Sequence, residues 1–243
     1  ARVPGRKEGR RCHRAGSRNP QAFTLDDNYN QSLAQLGFVV INFAYRGSGP
    51  WRGRDFHTFG YGNLRDYALA DDMAAIRQIA ARYPCADIER VGIYGHSGGG
   101  FMTVAAMLNH PEFYKVGVAA SGNHDNNIYS QWWGETFHGV KQTWGKDGKP
   151  HFECHIPTNI ELADRLAGRL LLITGDMDNN VHPASTARLA DALIRARKRF
   201  DMTVIPGADH GLGNSYYVNL IRYYFTEHLL GLPQQEIDIV KHN

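Results

Sequence analysis

Val91-Gly92-Ile93-Tyr94-Gly95-His96-Ser97-Gly98-Gly99-Gly100 sets an apolar run against a glycine-rich turn that holds a single serine. The run reads as a buried strand, and the residues after Ser97 as a helix reaching about Asn109. Between them, G-x-S-x-G is a pattern that holds a serine on a sharp strand-to-helix bend, with Oγ above the carboxyl edge of a sheet. Gly95 and Gly99 let strand and helix approach closely and tolerate backbone angles that side chains resist. The same glycine-rich turn also suits a phosphate cradle at a helix N-terminus. Residues elsewhere in the chain must decide between the two.

Working outward, upstream of this stretch Asp26 or Asp27 could cap a helix through Leu36 that Gly37 ends, and 38–43 reads as a buried strand. Arg46-Gly47-Ser48-Gly49-Pro50 turns the chain into a loop rich in glycine and aromatics. Leu64, Tyr67, Ala68, Met73, Ile76 and Ile79 recur at helical spacing over 64–82, before Pro84. Downstream, 116–120, 170–174 and 200–205 are further apolar strands, with helices over 183–197 and 216–230. This alternation predicts an α/β fold, a mostly parallel sheet with helices on both faces. Residues 121–168 are polar and aromatic and show no clear strand. Long irregular insertions of that kind are often functional.

The chain of 243 residues suits one domain, and its 42% hydrophobic content is ordinary for a globular protein. No apolar run approaches the roughly 18 residues of a membrane span, and the N-terminus lacks a signal-peptide core. The three cysteines, Cys12, Cys85 and Cys154, form neither a disulfide framework nor a metal-binding pair, and they leave the compartment open. Net charge is +3, but residues 1–20 carry seven Lys/Arg against one Glu, which leaves −3 for the remainder. An arginine-rich arm can bind nucleic acid or anionic membranes. No aromatic platform or recognition helix accompanies this one, so no nucleic-acid partner is expected. With no period of two or 3.6, residues 1–23 are expected to be disordered, and the domain to occupy 24–243.

A serine hydroxyl becomes a competent nucleophile when an imidazole takes its proton, and the imidazole needs an acceptor that fixes its tautomer. Gly175-Asp176-Met177-Asp178-Asn179-Asn180-Val181 follows the 170–174 strand, and Gly207-Ala208-Asp209-His210-Gly211 follows the 200–205 strand. Serine, aspartate and histidine thus occur in the chain order of α/β-hydrolases. Ser97 and His210 are the candidate nucleophile and base, whereas Asp176, Asp178 and Asp209 compete for the acid on position alone. His151, Cys154 and His155 match no zinc spacing and read as loop residues, so no metal or other cofactor is implied. His96, His124 and His182 read as structural or solvent-facing, and Arg46 as a buried ion-pair partner.

These residues resemble the catalytic domain of the prolyl oligopeptidase-type serine peptidases, including the dipeptidyl peptidase IV-like enzymes. The resemblance covers about residues 24–232. It rests on Arg46-Gly47-Ser48-Gly49, Gly95-His96-Ser97-Gly98-Gly99-Gly100, Asp178-Asn179-Asn180-Val181-His182 and Asp209-His210-Gly211. It implies an α/β-hydrolase fold and cleavage of peptides after proline or a small residue through an acyl-enzyme. In the family the acid stands three residues before the valine of an Asn-Val-His segment, which is Asp178 here. Gly98 would supply a backbone oxyanion donor, Tyr129, Trp133 and Val181 an S1 wall, and Asn180 a polar contact to the substrate backbone. Core packing is an alternative role for Tyr129 and Trp133. An esterase or acylaminoacyl hydrolase, or an inactive hydrolase-fold fragment, would carry the same pattern.

Two departures accompany the resemblance. In the family a tyrosine in a Tyr-Gly-Gly-Pro-like turn, upstream of the strand matching 38–43, donates to the oxyanion; residues 1–23 contain no tyrosine. The strand before that turn normally lies between those matching 38–43 and 91–95, and residues 1–20 do not look able to supply it. The expectation is therefore an α/β-hydrolase domain lacking its first strands, truncated on its N-terminal side, with the family's β-propeller belonging upstream.

Overall fold

The computed structural model describes residues 10–14, 28–213 and 215–234. Strands β1 (Arg10–Arg14), β2 (Phe38–Ile41), β3 (Val91–His96), β4 (Tyr114–Ala120), β7 (Arg169–Gly175) and β8 (Asp201–Ile205) form one sheet. Its order is β2-β1-β3-β4-β7-β8, with every neighbouring pair parallel. A separate antiparallel hairpin joins β5 (Lys141–Trp144) to β6 (Pro150–Glu153). The helices are α1 (Asn28–Gln35), the single turn α2 (Arg54–His57), α3 (Leu69–Arg82), α4 (Gly98–Asn109), α5 (Gln131–His138), α6 (Ala184–Arg195) and α7 (Ser215–Leu230).

A parallel sheet covered on both faces needs apolar side chains on both, so its strands read as continuous hydrophobic runs. Alternation then sorts them. Leu170 and Leu172 of β7 join the core under α3, α4 and α6, with Met73, Ile76, Val104, Leu108, Leu189 and Leu193. Leu171 and Ile173 join the opposite core, with Leu33 of α1 and Ile221, Phe225 and Leu229 of α7. Val118 pairs in register with Leu171, which keeps both strands in phase. Because all six strands point one way, the loops after β3, β7 and β8 gather at one edge.

Four expectations change. The gap foreseen between β2 and β3 is occupied: Arg10–Arg14 pairs with Phe38–Ile41 on one side and with residues 91–94 on the other. The segment lacks the apolar pattern that marks a buried strand, but ladder bonds are made by the backbone. An open slot would leave two rows of N–H and C=O groups unpaired. The remainder of the segment expected to be disordered lies outside the described residues. Second, α3 starts at Leu69; Leu64 and Tyr67 are buried from preceding turns, where the Leu64 N–H donates to His138 Nδ1 at 3.4 Å. Third, the insertion contains the β5–β6 hairpin, turned at Asp147-Gly148, with Gly148 at φ +72° and the Asp147 carboxylate accepting the Lys149 N–H. Its strand residues are exposed on both faces, so they never show the one-sided burial from which strand patterns are read. Fourth, Arg46 is ion-paired with Asp71, but at the surface: its guanidinium stacks over Phe59, 4.0 Å from the ring centroid, and remains half exposed.

Candidate active site

β3 ends at His96 and α4 begins at Gly98, so Ser97 alone makes the bend. Its φ of 58° and ψ of −124° are a strained conformation for a residue bearing a side chain. Two glycines make the bend sterically feasible. A Cβ on Gly95 would come within 2.3 Å of the Gly99 carbonyl oxygen, and one on Gly100 within 2.6 Å of the Ala120 oxygen. The Ser97 N–H donates to the Ala120 oxygen at 2.8 Å, tying the bend to the end of β4. Gly98 occupies the first position of α4, where backbone N–H groups have no intrahelical acceptor.

The loops after β7 and β8 bring the other two groups over the same edge. Ser97 Oγ lies 3.0 Å from His210 Nε2, and His210 Nδ1 lies 2.8 Å from Asp178 Oδ2. The carboxylate accepts, so Nδ1 carries the proton and Nε2 offers its lone pair to the serine hydroxyl. Asp178 is buried, and its Oδ1 accepts the N–H groups of Asn180 at 3.0 Å and Val181 at 2.8 Å. Those two bonds fix the carboxylate plane and aim the second oxygen at the imidazole.

The other two aspartates have separate roles. Asp176 Oδ1 accepts the Gly207 N–H at 2.6 Å, which couples the β7 loop to the β8 loop together with the bond from Met177 N–H to the Ala208 oxygen at 3.0 Å. Asp209 accepts the Gly211 N–H and so closes its own turn. Position along the chain does not distinguish the three; the direction of each carboxylate does.

Tyr129, Trp133, Asn180 and Val181 are distributed over two segments that the fold brings together. Tyr129 lies two residues before α5, whose N-terminus is capped by Ser130 Oγ accepting the Trp133 N–H. Its ring meets Trp133 edge-on, with centroids 5.8 Å apart at 68°. The Tyr129 hydroxyl donates to Asn180 Oδ1 at 2.7 Å, which joins the α5 segment to the acid loop. Burial, and then the nearby Asp178 carboxylate, raise the Tyr129 pKa above its ordinary value. Trp133 is half-buried and packs against the core under α4. Val181 is fully buried.

The segment that carries Tyr129 is braced from below. Asn127 Oδ1 accepts the Ile156 N–H at 2.9 Å while its Nδ2 donates to the Ile156 oxygen at 2.8 Å, as a paired strand would. Arg188 of α6 reaches Asp125 at 3.2 Å. His124 is completely buried, and its Nδ1 accepts from Asn159 Nδ2 at 3.2 Å. Burial lowers its pKa to about 3. His182 is exposed, with Nδ1 accepting the Ala184 N–H at the start of α6. His151 and His155 face Asp147 and Glu161 at 3.8 and 3.9 Å, on the exposed hairpin and just after it. Among the described residues, no helix is long and apolar enough to cross a membrane.

The chain resembles several known proteins. Over 198 residues the chain is 29% identical to human dipeptidyl peptidase 8, a match covering 79% of this chain and 22% of that protein. A crystal structure from Bacteroides ovatus assigned to dipeptidyl aminopeptidase IV superposes with a TM-score of 0.77 at 27% identity, covering 93% of this chain and 32% of that one. Dipeptidyl peptidase 4 of Porphyromonas gingivalis shares the fold at a TM-score of 0.76 and 24% identity, again covering 93% of this chain and 32% of that one. The chain thus spans about a fifth of the length of the curated relative and a third of the solved chains. The pattern of the prolyl oligopeptidase family matches residues 24–232. A match over so much of the chain, on an α/β-hydrolase sheet with the serine bend in place, places this protein in the prolyl oligopeptidase family.

Proposed function

We propose that the chain is a serine peptidase domain that hydrolyses peptide bonds after proline or a small residue, with Ser97, His210 and Asp178 as its triad. The observation that carries the reading is the series of two hydrogen bonds, Ser97 Oγ to His210 Nε2 at 3.0 Å and His210 Nδ1 to Asp178 at 2.8 Å. In this mechanism Ser97 Oγ attacks the scissile carbonyl carbon while its proton passes to His210 Nε2. The imidazolium then protonates the departing amine, leaving an acyl-enzyme. Water, deprotonated by the same imidazole, releases the acid and restores Ser97. Asp178 keeps Nδ1 protonated and stabilises the imidazolium, and the Gly98 N–H at the helix start stabilises the oxyanion.

Tyr129, Trp133 and Val181 form an aromatic and apolar wall that suits a flat proline ring or a small side chain, and Asn180 is placed to contact the peptide backbone. The matched relatives named as dipeptidyl peptidases favour peptides over esters as the substrate class. In the family a β-propeller accompanies this domain, and we extend that expectation to the full-length protein.

The test uses purified, folded chain, verified by a cooperative melting transition. A fluorophosphonate should label the wild type and spare Ser97→Ala, and chromogenic X-Pro amides should be turned over. Folded protein without Ser97-dependent labelling overturns the enzyme reading, whereas hydrolysis of short-chain esters alone overturns the peptidase reading.

A further inference from the structure

We infer that His96, the residue before the nucleophile, is a positioning residue for His210. The inference rests on the triad reading above. His96 is the last residue of β3, and its backbone is held in register with Ala120 of β4, so it projects from a rigid part of the sheet. Its Nε2 lies 2.6 Å from the main-chain oxygen of His210. A carbonyl oxygen only accepts, so Nε2 carries a proton and donates. The ring also lies against the His210 ring, with centroids 4.7 Å apart and planes inclined at 54°. One side chain therefore bonds the backbone of the base and supports its imidazole.

The loop that carries His210 is thin. It turns at Gly207, where φ is +72°, and on the β7 side it is tied by the Asp176 and Met177 bonds and by the bond of His210 Nδ1 to Asp178. From β3 the His210 carbonyl receives His96 Nε2 at 2.6 Å, and from the residue after β4 the Ser121 hydroxyl at 3.5 Å, the latter at the limit of a hydrogen bond. Bonds from both sides fix where Nε2 of His210 stands relative to Ser97 Oγ. Releasing the β3 side would leave the imidazole attached to Asp178 but free to swing about that bond. Displacement of a reacting group by about 1 Å costs on the order of a hundredfold in rate.

The motif x position of G-x-S-x-G is occupied by a side chain of no fixed type in the pattern itself. In this chain, histidine at that position supplies both a donor and a flat ring. Phenylalanine would keep the ring without the donor, and glutamine would return an amide N–H near the place of Nε2. Asparagine carries the same amide on a stem too short to reach the carbonyl.

The experiment measures the second-order rate of fluorophosphonate labelling of Ser97, and kcat and KM on an X-Pro amide, for the wild type and His96→Phe, His96→Gln and His96→Asn. We expect His96→Phe to lose roughly 10- to 100-fold in labelling rate and kcat, with KM changed by no more than about twofold. His96→Gln should recover to within a few-fold of wild type. Labelling of His96→Phe at the wild-type rate overturns the inference. If His96→Phe does not fold, equal rates for His96→Gln and His96→Asn overturn it, and a tenfold advantage for His96→Gln supports it. Absence of labelling in the wild type is a different result: it removes the triad reading and this inference with it.

Discussion

At the scale of single residues, the site is a problem of direction. Asp176, Asp178 and Asp209 lie within one loop pair, yet their carboxylates face a turn amide, an imidazole and their own turn respectively. Asp178→Asn should therefore lower kcat by about 10⁴, since an amide cannot hold the same tautomer. Asp209→Asn should stay within about tenfold; steady-state rates on one amide substrate would rank them. Tyr129 makes a separate contribution. Its hydroxyl holds Asn180 Oδ1, and the raised pKa keeps that hydroxyl protonated across the neutral range. Loss of one such bond is worth about 1 kcal/mol, or roughly fivefold. Tyr129→Phe is expected to raise KM by about that factor while leaving fluorophosphonate labelling of Ser97 near the wild-type rate.

At the scale of elements, the crossing of β3 and α4 tolerates almost nothing and the β5–β6 hairpin tolerates much. Gly95→Ala forces a Cβ to within 2.3 Å of a backbone oxygen that cannot swing aside. Overpacking of this kind costs about 1–3 kcal/mol, so melting should fall by several degrees and labelling of Ser97 should drop with it. The hairpin strands are exposed throughout. Replacing residues 142–152 with a short Gly-Ser linker should shift the melting temperature by no more than a few degrees. A large loss of cooperativity would show instead that the hairpin supports the core. The sequence held a sign of this hairpin in Asp147-Gly148, a dipeptide favoured in tight turns. It was obscured because Trp144 and Phe152 stand among polar neighbours rather than in an alternating apolar run.

At the scale of the whole molecule, one buried histidine sets a pH dependence. His124 has a pKa of about 3 in the fold against 6.5 for an exposed group, because burial disfavours its charged form. Between those values the unfolded chain binds a proton that the folded chain does not, so stability is full above pH 6.5 and falls as the pH drops towards 3. The slope is about 1.4 kcal/mol per pH unit, or about 2 kcal/mol lost by pH 5. Urea midpoints at pH 7 and pH 5 should separate more in the wild type than in His124→Gln; equal separation would mean that other groups carry the acid sensitivity. The apolar runs at Val91, Val116 and Leu170 were sufficient to locate three parallel strands, because a strand buried on both faces writes its burial into nearly every residue. The serine bend was equally legible, since Gly95 and Gly100 stand where no Cβ fits and Ser97 takes a backbone angle that the motif encodes. What the sequence did not contain was the identity of the strand between β2 and β3. Arg10–Arg14 joins the sheet through backbone bonds to which its side-chain pattern gives no clue. The direction of each aspartate, and the bond from His96 to the backbone of His210, were likewise decided by tertiary structure alone, because hydrogen bonds between residues 32 and 114 positions apart depend on distances and angles that local spacing leaves free.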